Sequence, residues 1–330
     1  MRTLVIGGTR FLGRAVVERL LANDHEVTLL NRGESGPALF PGVPRLTMDR
    51  ANISADALGG GSWDAVIDTC AYYPHEIEQT VAALRGRVAR YVLVSTGSVY
   101  ADIHPYPIRE DAPMQGCTPE QARDTSMETY GQRKAECERA LNRLGADAGM
   151  TVFIGRPTVV YGPHDYTDRM HFWLESVRRG RVTLPDDGMS IFHLIYAPDL
   201  AWLFVAMTEA PAERAGVYNV AATELFSLRD LVAEAAKVVG VEPEIAYASA
   251  ALLERHGIQP QLNLPLWIPG EHAINDVSRA KSLLGFQSTP FAETLRETLD
   301  AYLEQPHAPL RGVTDPDRLW EIAHGEKASV

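Results

Sequence analysis

A doubly wound α/β fold, in which helices cover both faces of a parallel sheet and a smaller lobe is interleaved after it, is predicted by three observations. Short apolar runs alternate with helical stretches of about 10 to 15 residues through positions 1–160. A glycine turn joins the first apolar run to the first helical stretch. The chain has 330 residues, more than the roughly 100–200 of one ordinary domain, so a second compact part is expected.

Thr3–Ile6 is the first strand, followed by glycines and an amphipathic stretch from Phe11 to Leu21. Glu26–Leu30, Arg45–Met48 and Ala65–Ile67 read as the next strands, His75–Leu84 as a helix, and Arg90–Val94 as a strongly β run. Such alternation implies right-handed crossovers and a parallel sheet. A polar, proline-bearing segment from His104 to Arg123 enters a helix over Ser126–Leu144, and Thr151–Ile154 returns to strand. After Gly162 the rhythm changes. Phe192–Ile195 and Gly216–Val220 read as strands of the main sheet, with a helix over Leu200–Thr208 between them. Segments 163–190 and 223–275 are less regular and hold several prolines. The expected division is therefore a dinucleotide-binding domain over 1–162, completed by about 191–222, with 163–330 mostly a substrate lobe and C-terminal helices. The tail from Pro306 is polar apart from Leu319–Ala323, which reads as a loosely attached helix.

Composition excludes several classes. Hydrophobic residues make up 45% and charged residues 22%, as in globular proteins, so disorder does not dominate. The apolar run Ala201–Met207 is far short of the roughly 18 residues that span a bilayer. Gly7 and Gly8 interrupt the apolar start, so no signal peptide is expected. Cys70, Cys117 and Cys137 are widely spaced and form neither a disulfide framework nor a zinc knuckle. A soluble, cytoplasmic protein is expected. With 31 basic against 43 acidic residues, a net charge of −12, the chain is poorly suited to neutralise nucleic-acid phosphates.

The segment Leu4-Val5-Ile6-Gly7-Gly8-Thr9-Arg10-Phe11-Leu12-Gly13 runs from strand to helix through a glycine turn. Gly7 permits the turn, Gly13 lets the helix pack closely, and the backbone N–H groups at the helix start suit a pyrophosphate, as in the Rossmann-type βαβ unit. Arg10 occupies the middle position of the usual glycine spacing. The second strand ends in Asn31-Arg32-Gly33, where an acidic residue would bind the 2′-hydroxyl of NAD. Arg10 and Arg32 instead suit a 2′-phosphate, which favours NADP(H) over NAD(H).

Strand Arg90–Val94 ends in Ser95-Thr96-Gly97-Ser98-Val99-Tyr100, which puts hydroxyls at its carboxyl end. In Tyr130-Gly131-Gln132-Arg133-Lys134, a phenol and an ammonium stand at i and i+4 on one helical face. A free phenol titrates near 10, and a neighbouring positive charge pulls it toward neutral pH. Tyr130 then becomes an acid/base, Lys134 tunes it, and Thr96 orients the same substrate oxygen.

Together these stretches resemble the extended short-chain dehydrogenase/reductase superfamily, its NAD-dependent epimerase/dehydratase group, and the GGTRFLG start with NRG is similar to an atypical branch that includes chloroplast stem-loop-binding proteins. The likeness extends through Asp49-Arg50, Asp68–Ala71, Glu110-Asp111-Ala112-Pro113, Arg156-Pro157, Val160-Tyr161-Gly162-Pro163, Asp199-Leu200-Ala201 and Tyr218-Asn219. The resemblance implies that Gly7, Thr9, Arg10, Phe11, Leu12, Gly13, Asn31 and Arg32 meet the dinucleotide and that Asp49 and Arg50 flank its adenine. It implies that Lys134 binds the nicotinamide ribose beside Tyr130, that Ala71 lines the groove, and that the backbone of Pro157, Val159 and Val160 faces the nicotinamide.

Departures narrow the substrate. Gly97 and Ser98 stand where sugar-nucleotide dehydratases carry an acidic pair, and Phe192 stands where nucleotide-sugar epimerases usually carry a diphosphate-binding Arg, seven residues before Asp199. A small or moderately apolar carbonyl or alcohol fits better. Tyr72, Ser98, His164, Arg169, Trp173, His193 and Tyr196 are the candidate substrate contacts, and Trp267 a candidate lid contact. His164, Asp165, Asp168 and His171 lack the spacing of helical metal sites, so no metal is expected. The leading reading is an NAD(P)-dependent oxidoreductase. The alternatives are an epimerase with retained NAD and, from another class, a nucleotide-sensing or RNA-associated protein on the same fold. A small-molecule substrate is expected, with neither membrane nor nucleic acid as partner, and helix Ser126–Leu144 offers a face for a homodimer.

Overall fold

The computed structural model describes residues 1–101, 106–269, 272–304 and 312–325. Its elements begin with β1 (Arg2–Ile6), α1 (Phe11–Ala22), β2 (Glu26–Asn31), β3 (Arg45–Thr47), β4 (Ala65–Asp68), α2 (Pro74–Leu84), β5 (Arg90–Val94) and α3 (Tyr130–Asp147). They continue with β6 (Thr151–Pro157), β7 (Val159–Tyr161), α4 (Arg169–Arg178), β8 (Arg181–Pro185), β9 (Leu194–Tyr196), α5 (Ala197–Glu209), β10 (Gly216–Val220) and α6 (Leu228–Val239). The last are β11 (Glu244–Ala248), α7 (Ala250–Arg255), α8 (Ser278–Leu284), α9 (Phe291–Leu303) and α10 (Pro316–Gly325). No helix among the described residues is long and apolar enough to cross a membrane.

The main sheet has seven parallel strands in the order β10-β6-β5-β4-β1-β2-β3. This is the doubly wound Rossmann arrangement expected from the sequence. Strands β1, β4 and β5 are nearly continuous apolar runs because helices bury both of their faces. Alternate residues serve opposite sides. Leu4, Ile6, Val66, Tyr91 and Leu93 join Ile77 and Val81 of α2 and Cys137 and Leu141 of α3 in one core. Strand order reverses between β1 and β4, where a crevice for ligands opens beyond the carboxyl ends.

The chain divides into two compact units. The first comprises Met1–Val160, Ala197–Ala221 and Asn275–Gln287, and holds the seven-stranded sheet. The second comprises Tyr161–Tyr196, Ala222–Ile274 and Ser288–Val330. In the second unit β8 and β11 pair in parallel, with Arg181 opposite Glu244. Helix α6 starts at a capping box in which Ser227 and Asp230 satisfy each other's backbone N–H, and Gly240 ends it in the left-handed region.

Several boundaries differ from the expected ones. The helix read over Ser126–Leu144 begins only at Tyr130 and runs to Asp147. Residues 126–129 form a turn because the Asp124 carboxylate accepts from the Ser126 hydroxyl at 2.5 Å and the Thr129 hydroxyl at 2.8 Å. The strand read over Phe192–Ile195 as part of the main sheet is Leu194–Tyr196 and lies outside the seven-stranded sheet, and the irregular stretches 163–190 and 223–275 contain α4, β8, α6, β11 and α7. In the tail, Leu319, Ile322 and Ala323 of α10 are buried. The tail's start at Pro306 lies outside the described residues, as does His104 at the start of the polar segment.

A buried ion network braces the carboxyl ends of β3 and β4. Asp68 is fully buried, and its two carboxylate oxygens each accept from Arg50 at 3.0 Å. Tyr91 donates its hydroxyl to the same carboxylate at 2.7 Å. Burial pushes Asp68 up, but the Arg50 charge and these hydrogen bonds outweigh it and hold the carboxyl below the ordinary range. Burial, and then the Asp68 charge, push the adjacent Cys70 thiol up to about 11, so it stays protonated at neutral pH.

A depressed carboxyl contributes stability at neutral pH that is lost as pH falls below the unfolded value of about 4. Asp68→Asn therefore lowers the unfolding free energy at pH 7 by about 3 kcal/mol, since it leaves Arg50 without its buried partner. In urea titrations the gap between the wild type and Asp68→Asn shrinks as pH falls below about 4. A gap independent of pH would contradict the depressed carboxyl.

Candidate active site

The turn after β1 is built for an approach by another group. Gly7 has φ of 96°, and a Cβ there would overlap the Thr69 hydroxyl, so only glycine fits. Asn31 buttresses the turn: its amide donates to the Gly7 carbonyl at 2.9 Å and its oxygen accepts from Gly33 N–H at 3.0 Å. Arg10 stands at the N-cap of α1 and supplies no side-chain cap to the helix N–H groups, while Phe11 and Gly13 are buried in the first turn. Thr9 and Leu12 are half-buried, and Arg10 is exposed. A phosphate fits this cradle, with helix N–H groups and the dipole in attendance.

At the end of β2, Arg32 is exposed and pairs with Glu34 at 3.1 Å. Asp49 caps the one-turn helix Arg50–Asn52 by accepting from Ala51 N–H at 2.9 Å. Arg50 departs from its expected place beside adenine. Its guanidinium is committed to Asp68 and, at 3.3 Å, to Glu76, and its side chain is only 10% exposed. The driving force is the buried Asp68 carboxylate, which needs a charged partner.

The catalytic candidates meet at the end of the sheet. Lys134 is buried, and its ammonium donates to the carbonyls of Ala71 and Val94, each at 2.7 Å. Two of three N–H donors are thus used, and the third has no hydrogen-bond partner among the described residues. Tyr130 lies one turn before Lys134 at the start of α3 and is half-buried. The Tyr72 ring lies 6.4 Å from the Tyr130 ring, and the Lys134 ammonium sits 5.9 Å from the Tyr72 ring centre. Thr96 caps the turn Gly97–Val99 by accepting from Ser98 N–H at 3.2 Å, with Ser98 exposed beside it. Gly131 brings α3 against this turn, for a Cβ there would overlap the Ser98 carbonyl oxygen. Pro157 closes β6, its carbonyl near Gly97, and Val159 and Val160 are half-buried in β7.

A second buried network backs this site, and the sequence reading assigned its members no role. Glu138 on α3 accepts from Ser95 at 2.5 Å and is held by Arg156 at 2.6 and 3.0 Å. Arg156 also covers the Tyr100 ring, whose hydroxyl donates to Asn219 at 2.6 Å. Asn219 in turn donates to the Ile108 and Asp276 carbonyls. A signal was present for Arg156, a charge inside an apolar stretch, but not for Glu138, which stands among the other charges of α3. Gln115, which donates to the Ser98 carbonyl at 2.9 Å, gave no signal at all.

Five substrate candidates belong to the second unit. His164 has φ of 64° and Arg169 opens α4; both are half-buried. Trp173 is corrected: it has no exposed surface and donates its indole N–H to the Pro265 carbonyl, because its bulk fills the unit's core. His193 is also interior, its Nε2 2.7 Å from the Ala222 carbonyl oxygen, and burial lowers its pKa. Tyr196 is buried as well, packs on Tyr161, and donates its hydroxyl to Glu297. Trp267, read as a lid contact, is buried and reaches Asp186.

Comparisons with known proteins bear on the family and the fold. The family model for the NAD dependent epimerase/dehydratase family matches residues 3–221. Chloroplast stem-loop binding protein of 41 kDa b from Arabidopsis thaliana is 25% identical over 91% of this chain and 78% of its own length. The 2-alkyl-3-oxoalkanoate reductase of Stenotrophomonas maltophilia is 26% identical over 77% of this chain and 83% of its own. Three longer plant relatives match over only 30% of their length. Among solved structures, the UDP-glucose 4-epimerase of Thermus thermophilus in complex with NAD shares the fold. It superposes with a TM-score of 0.69 at 22% identity, over 93% of this chain and 100% of that one. The chain belongs to the NAD-dependent epimerase/dehydratase family and is an enzyme of the extended short-chain dehydrogenase/reductase type.

Proposed function

We propose that the protein is an NADP(H)-preferring oxidoreductase acting on a small or moderately apolar carbonyl or alcohol, with Tyr130 as its acid/base. The observation that carries this reading is the Lys134 ammonium, buried, with two donors fixed on Ala71 and Val94 and one left over, a turn after Tyr130. The glycine turn would hold the pyrophosphate, and Lys134 would give its third N–H to the nicotinamide ribose. The nicotinamide, when bound, supplies or accepts the hydride. In the reductive direction Thr96 orients the carbonyl oxygen, and Tyr130 donates its phenolic proton to that oxygen as the new C–H bond forms.

Substrate class follows from what the chain lacks. Gly97 and Ser98 supply no carboxylate for dehydration, and Phe192 supplies no cation for a diphosphate. The reductase of Stenotrophomonas maltophilia, named for a 2-alkyl-3-oxoalkanoate, supports a carbonyl substrate that carries alkyl groups. The epimerase reading needs the same Tyr130 and Lys134 and is supported by a UDP-glucose 4-epimerase from Mycolicibacterium smegmatis, 25% identical over 92% of this chain. It differs in consuming no cofactor. Stem-loop binding, by analogy with the plant relative, is disfavoured by a net charge of −12. The same reading has the enzyme act in the cytoplasm, as a homodimer packed through the outer face of α3.

Two outcomes test it. In stopped-flow assays Tyr130→Phe lowers kcat about 10²- to 10⁴-fold while dinucleotide affinity, read by fluorescence titration, is retained. Unchanged kcat would exclude Tyr130 as the proton donor. Arg10, at the N-cap of α1, and Arg32, just after β2 where Asn31 replaces an acid, are both exposed. NADPH is therefore preferred to NADH in kcat/KM, and Arg32→Ala reduces that preference about tenfold. A preference for NADH in the wild type would overturn the cofactor assignment.

A further inference from the structure

Two apolar side chains stand exposed on segments that adjoin Tyr130, and the mechanism uses neither. Tyr72, in the loop after β4, is 45% exposed, and Met127, three residues before Tyr130, is 76% exposed. Solvated apolar groups of this size are ordinary when they occur singly. The segments that carry these two are tied by buried or charged groups.

Tyr72 is pinned from its backbone. The Glu76 carboxylate accepts from the N–H groups of Tyr72 at 2.7 Å and Tyr73 at 3.0 Å. Its other oxygen meets Arg50, which is fixed by Asp68. The ring is then held against Tyr130 and the Lys134 ammonium. Met127 sits on a turn tied at both ends. Asp124 accepts from the Ser126 N–H at 3.1 Å and from the Ser126 and Thr129 hydroxyls. Buried Arg133 donates to the Ser126 carbonyl at 2.6 Å while lying over the Tyr73 ring, and Tyr130 N–H donates to the Met127 carbonyl at 3.2 Å. One chain of contacts thus links both residues to the helix that carries Tyr130.

We infer that Tyr72 and Met127 form an apolar rim that binds the alkyl substituent of the carbonyl substrate and sets chain-length specificity. This rests on the reading of Tyr130 as proton donor, for the reacting oxygen must reach that phenol and the substituent must leave across the adjoining surface. A flat aromatic ring and a flexible thioether suit a linear alkyl chain, the thioether adapting to its shape. A sugar diphosphate would find neither cations nor hydrogen-bond donors in these two side chains, the Tyr72 phenol aside.

The test uses the full-length protein saturated with NADP⁺ and three probes, 2-butanone, 2-hexanone and 2-octanone. Their affinities are measured by calorimetry. Each added methylene is expected to tighten Kd about two- to threefold, somewhat below full burial of the group. Met127→Gln and Tyr72→Ala flatten that slope, whereas Leu262→Gln, which removes an exposed apolar side chain of the second unit, leaves it intact. Thermal melting accompanies each variant, and Met127→Ala replaces any that unfolds. Equal Kd for the three ketones, or a slope untouched by both rim variants, overturns the inference. NADPH oxidation with the same ketones is read separately. A chain-length slope without turnover would count against the oxidoreductase reading and leave the rim standing.

Discussion

One charged group organises the site. The Lys134 ammonium is buried, a placement that costs several kcal/mol unless its protons find acceptors. The acceptors are the Ala71 carbonyl, in the loop after β4, and the Val94 carbonyl, at the last residue of β5. A single side chain therefore fastens α3 to two neighbouring strand ends. Because Tyr130 precedes it by one helical turn, the phenol inherits that position. Thr96, two residues beyond Val94, belongs to the same clamp.

The surrounding charges serve this arrangement from two sides. Asp68, Arg50 and Glu76 fix the loop that carries Ala71 and Tyr72. Glu138 and Arg156 fix α3 to β6 and, through Ser95, to the end of β5. Buried ion pairs of this kind add little net stability compared with apolar packing, but breaking one partner is costly. Their effect here is geometric, since each restricts how loops at the carboxyl ends of the strands are placed. That is the edge at which an open α/β sheet binds its ligand.

The fold was legible because its signals are local and periodic. The strand–glycine–helix start, the apolar strands and the phenol–ammonium spacing each depend on residues close in sequence, and each took its expected place in the first unit. What escaped the reading was set by distant partners. Arg50 was expected beside the adenine with Asp49, and only the buried Asp68, paired to it across β3 and β4, turned it inward. Trp173 and Tyr196 stood in polar, aromatic stretches that resembled a pocket wall, yet hydrogen bonds to Pro265 and Glu297 drew them inside. The start of α3 was misjudged because the Asp124 turn competes with helix over 126–129, a common role for a short acidic side chain.

The central claim is that Lys134 braces the strand ends and meets the dinucleotide at once. A crystal structure of the complex with NADPH tests it most directly. The account predicts that the ammonium keeps Ala71 and Val94 and gives its remaining proton to a ribose hydroxyl, with the Tyr130 hydroxyl beside the nicotinamide. A dinucleotide bound away from Lys134, or a lysine released from both carbonyls, would contradict it.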